Sequence, residues 1–272
     1  MPRPAKSELQ LLEPDWPLPA GVHAFVTTRL GGVSAAPYAS LNLGLHVGDD
    51  PASVKRNREL LLQELESRTG LKNLSVQWIQ QVHGTTVHEV SAATLDSVPE
   101  ADAIHCRVPG VVCVVLTADC LPVMFTSGDG REVAVAHAGW RGLLDGVLEQ
   151  TVACFSDGSA SSAWLGPAIG PCHFEVGAEV REAFLRAARA EEEAATRAAF
   201  VPADREGKWY GDLYALARVR LQRVGVSEVH GSARCTVCDQ QHWYSYRGEA
   251  RTGRFATLIV SRPCKRNSRE HC

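Results

Sequence analysis

The stretch Val133-Ala-Val-Ala-His-Ala-Gly-Trp-Arg-Gly142 changes its period midway, and that change decides the fold class. Up to His137 it has the period of a strand, so Val133, Val135 and His137 share one face. Beyond Gly139 the apolar residues recur as Leu143, Leu144, Val147, Leu148 and Val152, the spacing of a helix that begins near Arg141-Gly142. A strand running through a glycine turn into a helix predicts an α/β protein.

The surrounding sequence agrees. Val76–Ile79, Val87–Val90, Val111–Thr117, Pro122–Phe125 and Glu132–His137 are short β-branched runs divided by Gly, Pro and Asp. They read as strands, several apolar on both faces and therefore buried. Further out, Val22–Thr28 reads as a strand entering the Gly-rich turn Arg29-Leu-Gly-Gly32. An irregular stretch from Asn42 to Pro51 precedes a helix with Asp50 or Ser53 near its N-terminus and Val54, Leu61, Leu62 and Leu65 inward. Glu179–Ala199 reads as helical. Asp212 caps a further helix through about Val224, with Leu213, Leu216, Ala217 and Leu221 inward. Phe255–Val260 reads as a closing strand. A strand-rich centre with helices before and after it predicts a layered sandwich rather than a regular βαβ repeat. No linker, repeat or low-complexity stretch forces a boundary, so one domain over residues 1–272, with its ordered core at 13–263, is expected.

Of the 272 residues 45% are hydrophobic and 22% charged, enough apolar material for a sizeable core. A formal net charge of -3 lacks the cationic footprint of a nucleic-acid binder. The short basic cluster Arg262, Lys265, Arg266 and Arg269 reads as a solvated tail. No apolar run approaches the roughly 18 residues of a membrane span. Asp15 and several prolines interrupt any apolar segment after Arg3, Lys6 and Glu8. A cytoplasmic protein is expected. Nine cysteines, an odd number, then argue against a disulfide framework. Cys106, Cys113, Cys154 and Cys172 lie in or beside apolar stretches, where a free thiol packs as a small hydrophobe.

Three residues stand where chemistry is possible. His137 ends its strand just before a glycine turn, a rigid position that can still reach a cavity. A hydrogen-bonded core histidine fits the same pattern. Cys120, in Thr117-Ala-Asp-Cys-Leu-Pro122, follows a buried strand at a bend; it reads as a packed thiol or a metal ligand. The acidic neighbour Asp119 is expected to raise a free thiol there, whereas a metal would select the thiolate. His83, in Gln80-Gln-Val-His-Gly84, lies at a bend, and its odd spacing from His88 would turn the two rings to opposite faces of a strand. Cys235-Thr-Val-Cys238 has metal-binding spacing but no second pair nearby. His230 and His242 would be needed to complete a zinc knuckle; two structural thiols are the plainer reading. The phosphate-binding Gly-x-x-x-x-Gly-Lys-[Ser/Thr] loop, the dinucleotide fingerprint and the Gly-x-Ser-x-Gly elbow are all absent.

In order along the chain come Thr27-Thr-Arg-Leu-Gly-Gly-Val-Ser34, Leu41-Asn-Leu-Gly44, Asp49-Asp-Pro51 with Asn57-Arg58, and Gln80-Gln-Val-His-Gly84. Then follow Ala101-Asp-Ala103, Thr117-Ala-Asp-Cys-Leu-Pro122, Ala136-His-Ala-Gly-Trp-Arg-Gly142, Gly166-Pro-Ala-Ile-Gly170, Phe174-Glu-Val-Gly177, Ser245-Tyr-Arg247 and Thr252-Gly-Arg254. With these motifs the chain resembles the YfiH-like laccase-domain family of purine nucleoside phosphorylases, long labelled polyphenol oxidases. The resemblance implies an α/β/β/α sandwich and a zinc ion held by His83, Cys120 and His137. It also implies phosphorolysis of adenosine, inosine and methylthioadenosine, with adenosine deamination as a second reaction. Three protein ligands leave one zinc position for water or substrate, as catalytic sites do, and zinc lowers the pKa of bound water toward about 7.

Phosphorolysis further needs an anion site. Arg29 with the amides around Gly31-Gly32 is the candidate phosphate cradle, because glycine turns present several N–H groups. Asn42 and Arg58 are further candidates for sugar or phosphate contacts, Arg141 a candidate helix-start residue, and Glu175 a candidate acid or base. Three other readings stay open. Two imidazoles and a thiolate also suit copper and a phenol oxidase, although the chain has no His-x-His pair for a trinuclear cluster. Cys120 and His137 could serve a metal-free hydrolase, and a structural zinc could serve a binding module.

Overall fold

The structure, a computed structural model, describes residues 9–95, 97–156, 160–231 and 234–262. Two sheets face each other. The first holds five strands in the order β1 (Leu11–Leu12), β2 (Val22–Thr27), β14 (Phe255–Ser261), β6 (Val111–Thr117) and β3 (Ser75–Gln77). The second holds six, in the order β13 (Glu228–His230), β9 (Ser162–Leu165), β7 (Leu121–Thr126), β8 (Val133–Ala138), β5 (Ala103–Cys106) and β4 (Val87–Val90). A small third sheet orders β10 (Glu175–Gly177), β12 (Lys208–Gly211) and β11 (Phe200–Pro202).

Alternation along β6 explains the layering. Val111, Cys113 and Val115 face the second sheet, meeting Ile104, Met124, Val133 and Val135. Val112, Val114 and Leu116 face the other way, onto Leu61 and Leu65 of α1 (Pro51–Thr69). Both faces of β6 are buried, which is why it reads as a continuous apolar run. On the outer face of the second sheet, Val123, Phe125, Ala134 and Ala136 pack against Leu143 of α2 (Trp140–Asp145), Leu148 of α3 (Val147–Ala153) and Leu216 of α6 (Leu213–Arg223). The layers are therefore α/β/β/α, as expected. Burying each of these large aliphatic side chains contributes about 2 kcal/mol.

Asp50 rather than Ser53 caps α1, accepting from the amides of Ala52 and Ser53. The helix expected from Arg141 to Val152 is two: Gly146, at φ 103°, breaks it into α2 and α3. The helix expected over Glu179–Ala199 is likewise divided, into α4 (Ala178–Ala187) and α5 (Glu193–Ala198). Between them Ala188 and Arg189 are extended, and the Glu192 carboxylate takes the Arg189 amide at 2.9 Å. β5 and β9 are strands the residue pattern did not announce. Of the basic C-terminal cluster, Lys265, Arg266 and Arg269 lie outside the described residues. No helix among the described residues is long and apolar enough to cross a membrane.

Candidate metal centre

Strand register builds the centre. In the second sheet β7, β8 and β5 are neighbours, with Leu121 opposite Ala138 and Ala103 opposite Ala136. One step beyond each pairing, Cys120, His137 and Asp102 therefore emerge at the same end of three adjacent strands. The bend between β3 and β4 delivers His83 to this end. A donor atom of each of His83, Cys120 and His137 lies within 4.8 Å of the others, and these atoms could hold a metal ion. Cys120 Sγ is 3.7 Å from His83 Nε2, and the two imidazoles meet edge to face at 4.7 Å between ring centroids.

Asp102 organises this group. Fully buried, it bonds His137 Nδ1 at 2.8 Å through Oδ1. The ring thereby keeps its Nδ1 proton and turns Nε2 toward Cys120 and His83, the arrangement a carboxylate imposes on a metal-ligating histidine. The same carboxylate accepts the amides of Val82, His83 and Gly84 at 3.2, 2.9 and 2.6 Å. These three donors hold His83 in the left-handed region, at φ 64°, which a non-glycine residue seldom occupies. Sequence reasoning gave Asp102 no role. The signal at hand was the motif Ala101-Asp-Ala103, which marks the carboxylate without saying what it touches.

Packing leaves the centre no slack. A Cβ at Gly139 would sit 2.9 Å from His83 Cδ2 and 3.1 Å from Cys120 Sγ. One at Gly142 would sit 2.7 Å from the Gly84 carbonyl, so α2 presses on the His83 bend.

The thiol behaves contrary to expectation. Burial pushes Cys120 up, but His137 and His83 outweigh it and bring the pKa to about 6. Burial pushes His137 down, while Cys120 and Asp102 raise it to about 9. The anionic form of Cys120 and the cationic form of His137 thus favour one another. Asp119 does not oppose this, because its carboxylate is turned away. Thr236 Oγ1 donates to Oδ1 and the Arg247 amide to Oδ2, both at 2.6 Å. Asp102 is pushed up by burial but held below the usual carboxylate range by His137 and the amides of Gly84 and His83.

Other expected residues fall elsewhere. The Arg29 guanidinium donates to the carbonyls of Ala39 and Gln240, pairs with Glu249 and lies 4.6 Å over the Tyr244 ring. The nearby amides are also engaged, Gly32 by Ser40 Oγ and Val33 by Asn57 Oδ1. Asn42 is fully buried, and its amide bonds Gly44, Asp49 and the Arg254 amide. Glu175 is paired with Arg205. Arg141 lies in the first turn of α2, over Trp140. His88 belongs to β4, opposite Ile104.

Arg58 remains. It lies 3.7 Å over the Trp78 ring, donates Nε and Nη2 to the Leu43 carbonyl, and burial pushes its pKa down to about 10. Arg254, which the sequence reading left without a role, is also lowered by burial, against the opposing charges of Cys120 and Asp119. Both arginines act on His46, which burial and then these two cations depress. The charges of both arginines thus reach His46, and that of Arg254 also reaches Cys120.

Cys106 and Cys113 are packed thiols, as expected. Cys172 is not. It is exposed, and with His173, Cys235 and Cys238 it forms a second group whose donor atoms lie within 4.8 Å of one another. The partners of Cys235 and Cys238 are therefore Cys172 and His173 in place of His230 and His242.

Residues 23–262 match the family model described as multi-copper polyphenol oxidoreductase laccase. A purine nucleoside phosphorylase of Pseudomonas aeruginosa is 52% identical over 249 residues, which is 91% of this chain and 97% of that protein. The purine nucleoside phosphorylase YfiH of Escherichia coli is 48% identical over 251 residues, covering 92% and 98%. Among solved structures, a Neisseria meningitidis protein superposes with a TM-score of 0.83 at 45% identity, covering 93% of this chain and 99% of that one. YlmD of Geobacillus stearothermophilus also gives 0.83, at 30% identity, covering 94% and 100%.

Proposed function

The chain belongs to the multi-copper polyphenol oxidoreductase laccase family, and we propose that it is a zinc-dependent purine nucleoside phosphorylase. Its substrates are adenosine, inosine and methylthioadenosine together with phosphate, and adenosine deamination is a second reaction. The relatives named purine nucleoside phosphorylase support an enzyme role. The observation that carries the reading is the three-donor cluster of His83, Cys120 and His137 at the end of β7 and β8. One thiolate and two imidazoles suit tetrahedral zinc, and three ligands leave a position open. The separation of 3.7 Å between Cys120 Sγ and His83 Nε2 is close to the roughly 3.5 Å edge of a tetrahedron built from usual Zn–S and Zn–N bonds. Bound zinc would supply an electrophilic centre for water or for the purine.

The remaining work falls to the chain. Asp102 holds the Nδ1 proton of His137 and so fixes which nitrogen faces the centre. Arg58 and Arg254 anchor phosphate beside it, replacing Arg29 in that role. In phosphorolysis a phosphate oxygen bonds to the ribose C1′, the C1′–N bond breaks, and the purine keeps the electron pair and takes up a proton. Ribose 1-phosphate and free base result. In deamination water replaces the amine and ammonia leaves. Residues 1–272 act as one domain, in the cytoplasm, where the thiols stay reduced.

The donor sets also weigh against a laccase. The chain lacks any His-x-His pair, and neither metal-binding group among the described residues gathers the imidazoles a trinuclear copper cluster requires. The test is a phosphate-dependent assay on adenosine and inosine with product identification, on protein of known metal content. Free base and ribose 1-phosphate support the reading. No turnover of either nucleoside, or turnover unaffected by metal removal yet abolished by alkylating Cys120, overturns it.

A further inference from the structure

We propose that Cys172, His173, Cys235 and Cys238 bind a second zinc ion in a closed structural site, separate from the three-ligand centre. The four donors come from two loops: the turn between β9 and β10, and the turn that follows β13. A bridge between Ala168 and Cys235 joins the two segments, with Thr236 N bonded to the Ala168 carbonyl at 3.0 Å.

Three separations between donor atoms match the edges of a metal tetrahedron. Zn–S bonds of about 2.3 Å and Zn–N bonds of about 2.0–2.1 Å give S···S edges of about 3.8 Å and S···N edges of about 3.5 Å. Here Cys172 Sγ and Cys238 Sγ are 3.7 Å apart, and His173 Nδ1 is 3.5 Å from both Cys235 Sγ and Cys238 Sγ. The edge between Cys172 Sγ and His173 Nδ1 is shorter, at 3.0 Å. A disulfide would need sulfurs about 2.05 Å apart and would leave two of the four donors without a role.

The backbone is shaped for the cluster. The Gly170 amide donates to Cys235 Sγ at 3.2 Å, the outer contact expected of a metal thiolate. A Cβ at Gly170 would come within 3.0 Å of Cys235 Cβ and 3.2 Å of its sulfur. Three thiolates and one imidazole select zinc, and four protein ligands leave no position for substrate.

Its role is to hold the loops that steer Asp119. Thr236, next to Cys235, donates to the Asp119 carboxylate, and the Ile169 amide donates to the Asp119 carbonyl at 2.9 Å. Arg247, whose amide also holds Asp119, donates from Nη1 to the His173 carbonyl at 2.9 Å. The closed site therefore braces the residue that precedes Cys120.

The full-length chain, purified without chelator, is expected to carry about two zinc ions per chain. Cys120→Ala and the double variant Cys235→Ser/Cys238→Ser are each expected to keep about one. With cobalt in place of zinc, Cys120→Ala should show about three times the thiolate-to-cobalt absorption per metal of the double variant, three sulfurs against one. If the double variant fails to fold, X-ray absorption at the zinc edge of the unaltered protein decides: an average of about two sulfurs per zinc supports the site. About one zinc per chain with a single sulfur ligand, or a disulfide mapped among Cys172, Cys235 and Cys238, overturns it.

Discussion

Replacing Asp102 with asparagine keeps the shape of the residue and removes its charge, at the point where four donors converge. Oδ1 receives His137 Nδ1 and the His83 amide; Oδ2 receives the amides of Val82 and Gly84. An asparagine has one acceptor oxygen. Whichever way its amide lies, its NH2 faces two of these donors: the Val82 and Gly84 amides are both left buried and unsatisfied, or the His83 amide alone if His137 changes tautomer. At about 1–3 kcal/mol for each abandoned donor, the metal-free fold should lose roughly 1–6 kcal/mol. Whatever charge-assisted strength remains on the other oxygen is lost as well. If the amide turns its NH2 toward His137, Nδ1 must accept, the ring is driven to the tautomer that carries its proton on Nε2, and the metal loses a ligand. Loss of an outer partner of this kind costs about 10–100-fold in metal affinity. Urea unfolding of the chelated protein gives the first quantity, and zinc competition against a chromophoric chelator the second. An Asp102→Asn protein whose zinc affinity stays within about threefold, and whose unfolding free energy moves by less than about 1 kcal/mol, would refute the role given to Asp102.

Arg58→Ala should raise the KM for phosphate at least about tenfold, with the KM for nucleoside little changed, as loss of a charged contact worth about 1.5–3 kcal/mol requires. Arg29→Ala should lower stability and leave the phosphate KM in place; steady-state kinetics at varied phosphate separates the two. Gly139→Ala has an unstrained backbone at φ -58°, so its effect isolates the Cβ pressing on His83 and Cys120. Metal affinity and turnover should fall about tenfold or more, while urea unfolding of the metal-free form shifts less than in Asp102→Asn. Glu192 is held to a pKa of about 2 by Arg223, then by the Arg189 amide, against burial. A carboxylate depressed in the folded state contributes stability above its unfolded value near 4.5, and that contribution fades as the pH falls toward 2. Glu192→Gln should therefore cost about 2–3 kcal/mol at pH 7 and almost nothing near pH 2, read from unfolding at both values.

The strands at the centre of the molecule were legible because each is apolar on both faces. Val111–Thr117 admits no solvent-facing side, and no amphipathic helix has that pattern. Ser162–Leu165 was not legible: four residues offer no period to read, and only pairing with β7 and β13 makes a strand of them. The three-ligand centre divides in the same way. Each of His83, Cys120 and His137 stands out locally as a polar or thiol side chain at a bend or strand end. Their meeting depends on register between β7 and β8 and on a left-handed turn at His83, neither of which is written in local sequence. The second cluster was missed because Cys172 and His173 lie more than sixty residues before Cys235, outside the window in which a zinc knuckle is sought.

Three non-glycine residues among those described have positive φ, Asn73, His83 and Asp119, and two of the three belong to the metal centre. His83 is itself a proposed ligand, and Asp119, at φ 93°, directly precedes another. Such conformations cost of order 1–3 kcal/mol each and persist where surrounding contacts over-determine them. Here the contacts can be named, and a carboxylate makes them in both cases. Asp102 gathers three amides around His83, and Asp119 binds Thr236 and the Arg247 amide on its own behalf. The ligand geometry is thus fixed by backbone bonds that do not involve a metal. A bound ion has little ordering left to impose, and a catalytic centre that must leave one position open needs that preorganisation from the protein. The brace on Asp119 then leads to Thr236 and Arg247, and through them to the four-donor cluster. A closed metal site holding two loops together would thereby sustain the strained residue behind an open one.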